Sequence, residues 1–576
     1  MNYATSIQTS GQIALPAWRS RVLYVLLLTG LAVLLLRAAY LQGIHNTFLQ
    51  QKGDARYARV VEIHAHRGMI TDRRGEPLAV STPVESVWAS PADVEISAAQ
   101  ISQLAQIIGL SVAEVRSKLA ETSREFVYLK RQLPPEQAAR VLKLEIPGIS
   151  LQREYRRYYP GGEVTAHLIG FTDVDDNGQE GIELAMQDKL GGKAGSQQVI
   201  KDRRGYIVED VASLRAPKAG EDVALSIDSK IQALAFREIK QAVQLHHAKG
   251  GSIVVLDARS GEVLALANWP SYNPNNRDKP NVAVLRNHAI TDQFEPGSTM
   301  KPFTIATALE AGEIKANSII NTAGGALTLN GRTIHDTHPE RSLSVGRIIQ
   351  VSSNVGAAKI ALGLPPETMW RALSEDGFGS QTGSEFPGEA EGRLRDYKKW
   401  RPIDQATIAY GNGISVSLLQ LARAYTVFAN NGELKPISLL KLDTPPLGVK
   451  VYSEATVKEV RDMMETVVKP GGTAPLAQIM GYQVAGKTGT AHKNENGKYV
   501  DKYIASFVGM APASDPRLIV AVMVNEPAGS EYYGGLVAAP VFSDVMGGAL
   551  RMLNVPNDAP LDNVQKVPAE VVGEDA

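Results

Sequence analysis

Between Arg21 and Gln42 the chain carries an apolar run, Val22–Leu41, broken only by Thr29, Gly30 and Arg37. Crossing the hydrocarbon core of a bilayer takes about 17–25 residues. The run therefore constrains the whole chain: it predicts one anchor helix, residues 22–41, with Arg37 snorkelling to the far interface. Residues 1–21 contain Arg19 and Arg21 and no acidic residue, which places this short tail in the cytoplasm. A cleaved signal peptide needs a small-x-small site after its apolar core, and none follows here. Nothing later reads as a second span, so everything after about residue 42 is expected outside the cytoplasm.

The chain has 576 residues, enough for two or more domains. Its formal net charge is −1, which excludes bulk electrostatic binding to nucleic acid. It has no cysteine, which removes disulfides, thiolate nucleophiles and Cys-ligated metals. Residues 43–222 read as a mixed α/β domain. His66–Ala79 has the pattern strand, turn, strand, with Gly75 closing the turn. Ala98–Ile108, Ser111–Thr122 and Pro134–Leu144 read as helices; Ser111 with Glu114 makes a capping box, and Pro134 opens the third. The basic, aromatic run Arg153–Tyr159 reads as a solvated strand face. Gly178–Glu183 and Lys201–Gly205 read as turns. No catalytic constellation falls in this region, so a spacer or docking role is expected.

From Val223 to Leu553 the pattern changes to strands and apolar helices of one α/β domain. A helix starts near Leu225. Strands follow at Ser252–Asp257 and Glu262–Ala267, and later at Gln483–Ala491, Ile504–Val508 and Leu518–Val524, in a mostly antiparallel sheet. Ile348–Leu362 reads as one apolar helix, Thr407–Asn430 as a Gly-rich turn and a long helix, and Ala539–Met552 as a final helix. Residues 554–576 are polar and Pro-bearing, the composition of a flexible tail.

Three short motifs stand in this second domain. Ser298 precedes Lys301 by three positions, so on a helix the amine reaches the hydroxyl. Met300, Phe303, Ile305, Ala308 and Leu309 give the following segment a buried helical face. Pro302 is tolerable only near a helix start, and Gly297 allows a tight turn into it. Ser298 is thereby placed at a helix N-terminus, where backbone N–H groups favour developing negative charge. Alone the match is weak, since Ser438-Leu-Leu-Lys441 repeats it. Ser352-x-Asn354 is equally weak alone, because Ser271-Tyr-Asn273 matches by accident. Lys487-Thr-Gly-Thr490 occurs once. In the order S-x-x-K, S-x-N, K-T-G the three form the set of penicillin-binding proteins and class A β-lactamases. Ser353 stands where that set has an aspartate, at a position that carries no chemistry.

On these motifs the chain resembles the class B penicillin-binding proteins, and within them the division-specific group. The resemblance runs from the anchor to about Leu553. It includes Arg67-Gly68-x-Ile70-x-Asp72-Arg73-x-Gly75, Leu256–Asn268, Ser271–Asn276, Gly411–Ser417, Tyr532–Gly535 and Ala538–Phe542. It implies a penicillin-binding transpeptidase domain of the serine β-lactamase-like α/β (α+β) class on an N-terminal pedestal of the dimerisation type. It implies a membrane-anchored D,D-transpeptidase that cross-links peptidoglycan stem peptides at the division septum, is blocked by β-lactams, and works beside a polytopic polymerase of the FtsW type among other membrane proteins of the division machinery. No paired-carboxylate site of a glycan polymerase lies in the pedestal.

Each motif residue has a physical reason to take its part in that chemistry. Ser298 is a poor nucleophile and needs an adjacent base. Lys301 serves only when neutral; desolvation and the like charge of Lys487 both favour that form. Ser352 relays the proton to the leaving nitrogen. Asn354 holds the substrate amide and orients Lys301. Lys487 offers charge to the donor's terminal carboxylate, supported by the Thr488 and Thr490 hydroxyls. Gly489 lets the donor lie against the strand in the manner of strand addition. The family's oxyanion hole corresponds to the N–H groups of Ser298 and Thr490. No cofactor is implied. His64-x-His66 and His335-Asp-Thr-His338 lack a third ligand cluster, so metal-independent chemistry is expected. Tyr503, Tyr532 and Tyr533 fit a cleft wall as in relatives, or ordinary packing. The rival readings are a hydrolase (D,D-carboxypeptidase or β-lactamase), a sensor or idle scaffold, and an elongation-specific class B enzyme. A β-lactamase is about half this length, a sensor needs more than 21 cytoplasmic residues, and an idle scaffold has no need of all three motifs.

Overall fold

A computed structural model of the chain describes residues 17–44, 58–124, 126–201, 207–276, 282–495 and 497–565. The apolar run forms a helix, Ala17–Ala39, prolonged by a π-helical turn, Tyr40–Ile44. Ala17–Gly43 is long and apolar enough to cross a membrane. The tail before Ala17 and the turn after Lys201 lie outside the described residues.

The chain divides into two compact units that do not follow chain order. One takes the residues up to His64, Val84–Glu154 and Ala194–Lys218; the other takes Ala65–Pro83, Tyr155–Lys193 and everything from Ala219. In the first unit, three antiparallel strands, Ala58–Ile63, Gly195–Lys201 and Ile207–Arg215, form one sheet. Helices Ala98–Ile108 and Val112–Leu119 both begin at capping boxes, from Ser97 and Ser111. They bury Leu104, Ile108 and Val115 with Val87, Leu129 and Val141 in a small core of their own.

The second unit is built on a five-stranded antiparallel sheet. Its strands are β1 (Gly250–Asp257), β2 (Val263–Trp269), β3 (Ala485–Glu495), β4 (Lys498–Ala511) and β5 (Leu518–Asn525), in the order β2-β1-β5-β4-β3. Every residue of β1 is buried. That explains its apolar stretch Ile253–Leu256, since helices cover both faces. Helix α1 (Ser229–Leu245), capped by Asp228, packs on the sheet with the final helix, Ala539–Met552. Helix α2 (Lys301–Glu310) buries Phe303 among Phe378, Tyr425 and Phe428, with ring centroids 4.9–5.4 Å away. Truncating such a ring to alanine costs about 3–5 kcal/mol.

Three expectations are corrected. The run Arg153–Tyr159 is solvated on one side only: Arg153, Arg156 and Tyr158 are exposed, whereas Arg157 and Tyr159 are buried. Strand alternation turns them inward, and Glu183 binds Arg157 Nε at 2.7 Å and Arg67 Nε at 2.7 Å. A buried carboxylate between two guanidiniums needs both partners, since removing one strands a charge. The tail is not loose in its first part either. Asn563 binds the 479–482 turn through its Oδ1 and Nδ2, and Asp558 accepts from Gln483 N at 2.7 Å. Residues 566–576 lie outside the described residues. Finally, Ile348–Leu362 is two helices, Val345–Gln350 and α3 (Asn354–Gly363), with a break at Val351–Ser353.

Candidate active site

The site starts from the turn before α2. Residues Gly297–Met300 form a 3-10 turn, and α2 begins at Lys301 with Pro302 in its first turn. Pro302 has no N–H, so the Ser298 carbonyl has no i+4 donor. Lys301 N–H donates to it instead, which is the 3-10 bond. Gly297 sits at φ 57°, the left-handed region that glycine enters without strain. Below the turn the buried Tyr425 hydroxyl donates to the Thr299 carbonyl at 2.8 Å, and Thr299 Oγ1 donates to the Pro296 carbonyl at 2.8 Å. The hydroxyl of Ser298 is thus carried on a pinned turn.

Lys301 is completely buried, and its Nζ is the hub. It lies 2.8 Å from Ser298 Oγ, 2.9 Å from Ser352 Oγ and 2.8 Å from Asn354 Oδ1, and it also contacts the Ser352 carbonyl. Two of these four oxygens, the carbonyl and the amide oxygen, only accept. The orientation of Asn354 is set by its Nδ2, which donates to the His335 carbonyl at 3.3 Å. A neutral amine spends its two N–H bonds on those two acceptors. Its lone pair then faces the hydroxyls of Ser298 and Ser352.

The break between the two helices is what brings Ser352 and Asn354 to Lys301. Ser352 has φ 62°, a left-handed conformation rare for a side-chain-bearing residue. Ser353 caps α3 by accepting from Gly356 N at 2.9 Å, while its hydroxyl donates to Asp336 Oδ2 at 2.6 Å. Asp336 Oδ1 accepts from Val355 N at 2.8 Å. So Asp336, beside the hairpin strand Arg332–His335, clamps the loop that carries Ser352 and Asn354.

The third motif lies on β3, the edge strand of the sheet, so β3 has one side free for pairing. Lys487 is completely buried, with Nζ 2.9 Å from Thr488 Oγ1. Thr473 and Thr488 share a hydrogen bond of 2.8 Å, and Gly534 N donates to Thr490 Oγ1 at 3.0 Å. Gly489 is required by close approach. A Cβ there would lie 2.5 Å from Ser506 Oγ and 2.8 Å from the Pro296 carbonyl oxygen. A Cβ on Gly297 would lie 3.5 Å from the Thr490 carbonyl oxygen. The Gly297–Met300 turn and the Thr488–Thr490 stretch are therefore packed backbone to backbone.

The structure brings Ser298, Lys301, Ser352 and Asn354 into direct contact, and places Lys487, Thr488, Gly489 and Thr490 on the strand packed against their turn. The decoys fall elsewhere. Ser438 Oγ is engaged with its own loop, at Leu440 O (2.7 Å), and Ser271 Oγ with Glu163 O (2.8 Å). Among the described residues no group of three or more His, Asp or Glu forms a metal cage. Tyr503, Tyr532 and Tyr533 are half-buried and stacked, with centroids 4.0 and 4.4 Å apart, next to His492. Sequence reasoning missed Asp336, Tyr425, Thr473 and Gly534. Two had a signal: Gly534 lies in the Tyr532–Gly535 stretch, and Asp336 in the His335-Asp-Thr-His338 run, where the carboxylate rather than the imidazoles matters.

Comparison with known proteins gives two family matches. Residues 251–547 match the penicillin binding protein transpeptidase domain, and residues 62–225 the penicillin-binding protein dimerisation domain. The chain is 45% identical over 535 residues to a probable peptidoglycan D,D-transpeptidase, PenA, of Neisseria meningitidis serogroup A, covering 92% of each chain. It is 44% identical over 551 residues to the peptidoglycan D,D-transpeptidase FtsI of Escherichia coli K12, covering 94% of this chain and 93% of that one. Among solved structures, the apo TP domain of Burkholderia pseudomallei penicillin-binding protein 3 matches with a TM-score of 0.54 and 48% identity. That match covers 58% of this chain and 98% of that one.

Proposed function

The chain belongs to the penicillin-binding proteins with a transpeptidase domain, and from that premise we propose a serine acyl-transfer mechanism at Ser298 for a peptidoglycan D,D-transpeptidase. Ser298 Oγ attacks the carbonyl carbon of the penultimate D-alanine in a stem peptide. Lys301 Nζ, 2.8 Å away, takes the hydroxyl proton. The proton passes through the Ser352 hydroxyl to the leaving nitrogen, the peptide bond breaks, and the terminal D-alanine departs. An amine of a neighbouring stem then attacks the ester carbonyl; its proton returns through Lys301 to Ser298 Oγ as the cross-link forms. Lys487, with Thr488 and Thr490, holds the donor's terminal carboxylate. The N–H groups of Ser298 and Thr490 stabilise the tetrahedral oxyanion. Asn354 positions the substrate amide, and the donor pairs along the open edge of β3.

The observation that carries this reading is the hub. A fully buried amine has two obligate acceptors and two hydroxyls around it, one of which heads the nucleophile turn. The test is covalent labelling by penicillin. The adduct is expected on Ser298, with no labelling of Ser298→Ala; an adduct on Ser438 or any other residue removes the assignment.

We further propose that the Ala17–Gly43 helix anchors a single-pass protein in the inner membrane, N-terminus in the cytoplasm and transpeptidase domain in the periplasm. The likeness to FtsI supports a septal role beside a polymerase of the FtsW type. A fluorescent fusion is expected at midcell; distribution along the side wall points instead to elongation.

A further inference from the structure

In the acyl transfer proposed above, the donor's terminal carboxylate sits at Lys487 and its scissile carbonyl at the Thr490 N–H. The part of the stem upstream of the scissile bond therefore continues past Thr490. At an extended-chain rise of about 3.3 Å per residue, one or two residues reach the level of His492 and Lys493. There β3 and β4 change register: His492 faces Tyr503, and the next pair is Lys493 with Val500. The extra residues, Asp501 and Lys502, make a bulge, which re-aims the outer arm of the hairpin.

That arm brings Tyr499 to Glu295, three residues before the nucleophile. The Tyr499 hydroxyl donates to Glu295 Oε2 at 2.9 Å, and Gly413 N donates to Oε1 at 3.0 Å. Both partners are neutral, and among the described residues no cation pairs with this half-buried carboxylate. Of the cations on the arm, Lys498 is exposed at its tip and the other two are engaged with other carboxylates. Lys493 pairs with Glu526, and Lys502 with Glu495 at 2.9 Å. Burial holds the Glu295 carboxyl above its usual range despite its two donors, which fits a charge without a counter-ion.

Donor and acceptor stems belong to one polymer. The acceptor reacts through an amine, so each donor stem carries the same amine-bearing side chain upstream of its D-alanines. A carboxylate has about four lone-pair positions, and Glu295 has used two. We propose that Glu295, fixed by Tyr499 and Gly413, is the subsite for the cationic side chain of the donor stem upstream of the scissile bond. This assignment rests on the acyl-transfer reading of Ser298 and Lys487.

The test uses the full-length protein in detergent and two acyl-D-alanyl thioester probes. They are identical except that the upstream side chain ends in an ammonium in one and a methyl group in the other. Acylation of Ser298 is followed by mass spectrometry, and the ratio of the two rate constants is read. The wild type is expected to prefer the ammonium probe about tenfold, and Glu295→Gln to bring the ratio close to one. Equal rates for the two probes in the wild type overturn the proposal without any variant having to fold. An undiminished ratio in Glu295→Gln also overturns it. No adduct at Ser298 with either probe rejects the acyl-transfer reading itself.

Discussion

Removing the Asp336 carboxylate should slow acylation without emptying the catalytic set. Asp336 accepts from Ser353 Oγ at 2.6 Å and from Val355 N at 2.8 Å, and touches none of the residues proposed to react. Hydrogen bonds to a charged group contribute about 1.5–3 kcal/mol each. Asp336 is half-buried, so water recovers part of that in Asp336→Ala. A net loss of about 2 kcal/mol is reasonable for the pair. The Ser352 backbone, at φ 62°, is the strained element the clamp holds in place. Carried wholly into the population of the aligned loop, about 2 kcal/mol is roughly 30-fold in the acylation rate constant. Asp336→Asn keeps the shape but makes only one of its two atoms an acceptor, and should fall between. The assay is the time course of fluorescent penicillin acylation, with thermal unfolding run beside it. Acylation of Asp336→Ala within twofold of wild type refutes the reasoning. So does a double variant with Ser353→Ala whose loss is the simple sum of the two singles, because groups that share one bond do not add.

Lys301→Arg keeps the charge and loses the accessible neutral amine, so acylation should fall by orders of magnitude in a folded protein; near wild-type kinetics would remove Lys301 as the base. His167 is buried, its Nε2 donates to the Val284 carbonyl at 2.8 Å, and burial pushes its pKa down to about 4. A depressed histidine contributes stability that is present above its unfolded value of about 6.5 and is lost as pH falls through the folded value. That is about 3 kcal/mol between pH 6.5 and 4, so the acid limb of Tm against pH should be flatter in His167→Gln, and parallel curves contradict it. Ser353→Asp should be poorly tolerated and regain acylation in combination with Asp336→Asn, as measured by penicillin labelling; equal labelling of both variants counts against a Ser353–Asp336 pairing.

Much of the fold was legible because its causes are local. The β1 strand has a continuous apolar stretch, Ile253–Leu256, the capping box at Ser111 is short-range, and Pro302 dictates where α2 can begin. The same locality explains why the three motifs pointed to one site: each is a few adjacent residues on a single turn or strand. What escaped depends on partners far along the chain. Arg157 looks like any surface arginine until Glu183 is placed beside it. Tyr425 looks like a core aromatic until its hydroxyl is seen to reach the Thr299 carbonyl, 126 positions away. Asn563 and Asp558 look like tail residues until they meet the backbone of the 479–483 turn. The two units are interleaved along the chain, and no change of composition marks each crossing.

The misread helix at Ile348–Leu362 joins these cases to the chemistry. Its apolar pattern is continuous across Ser352, Ser353 and Asn354, because the segments on either side are both buried. Periodicity reports burial and is silent on a single left-handed residue. The break is enforced instead by Ser353, whose hydroxyl does two things at once. It accepts from Gly356 N and donates to Asp336. An aspartate, the residue of the general motif, can cap the helix equally well, but when ionised it has no hydrogen to give. At position 353 it would set a second carboxylate against Asp336 at hydrogen-bond distance, a like-charge contact that raises the energy of the ionised pair. In this chain Ser353 and Asp336 therefore form one device. The middle residue of the S-x-N motif stays outside the reaction, yet the choice of hydroxyl over carboxylate there is tied to what the facing hairpin supplies.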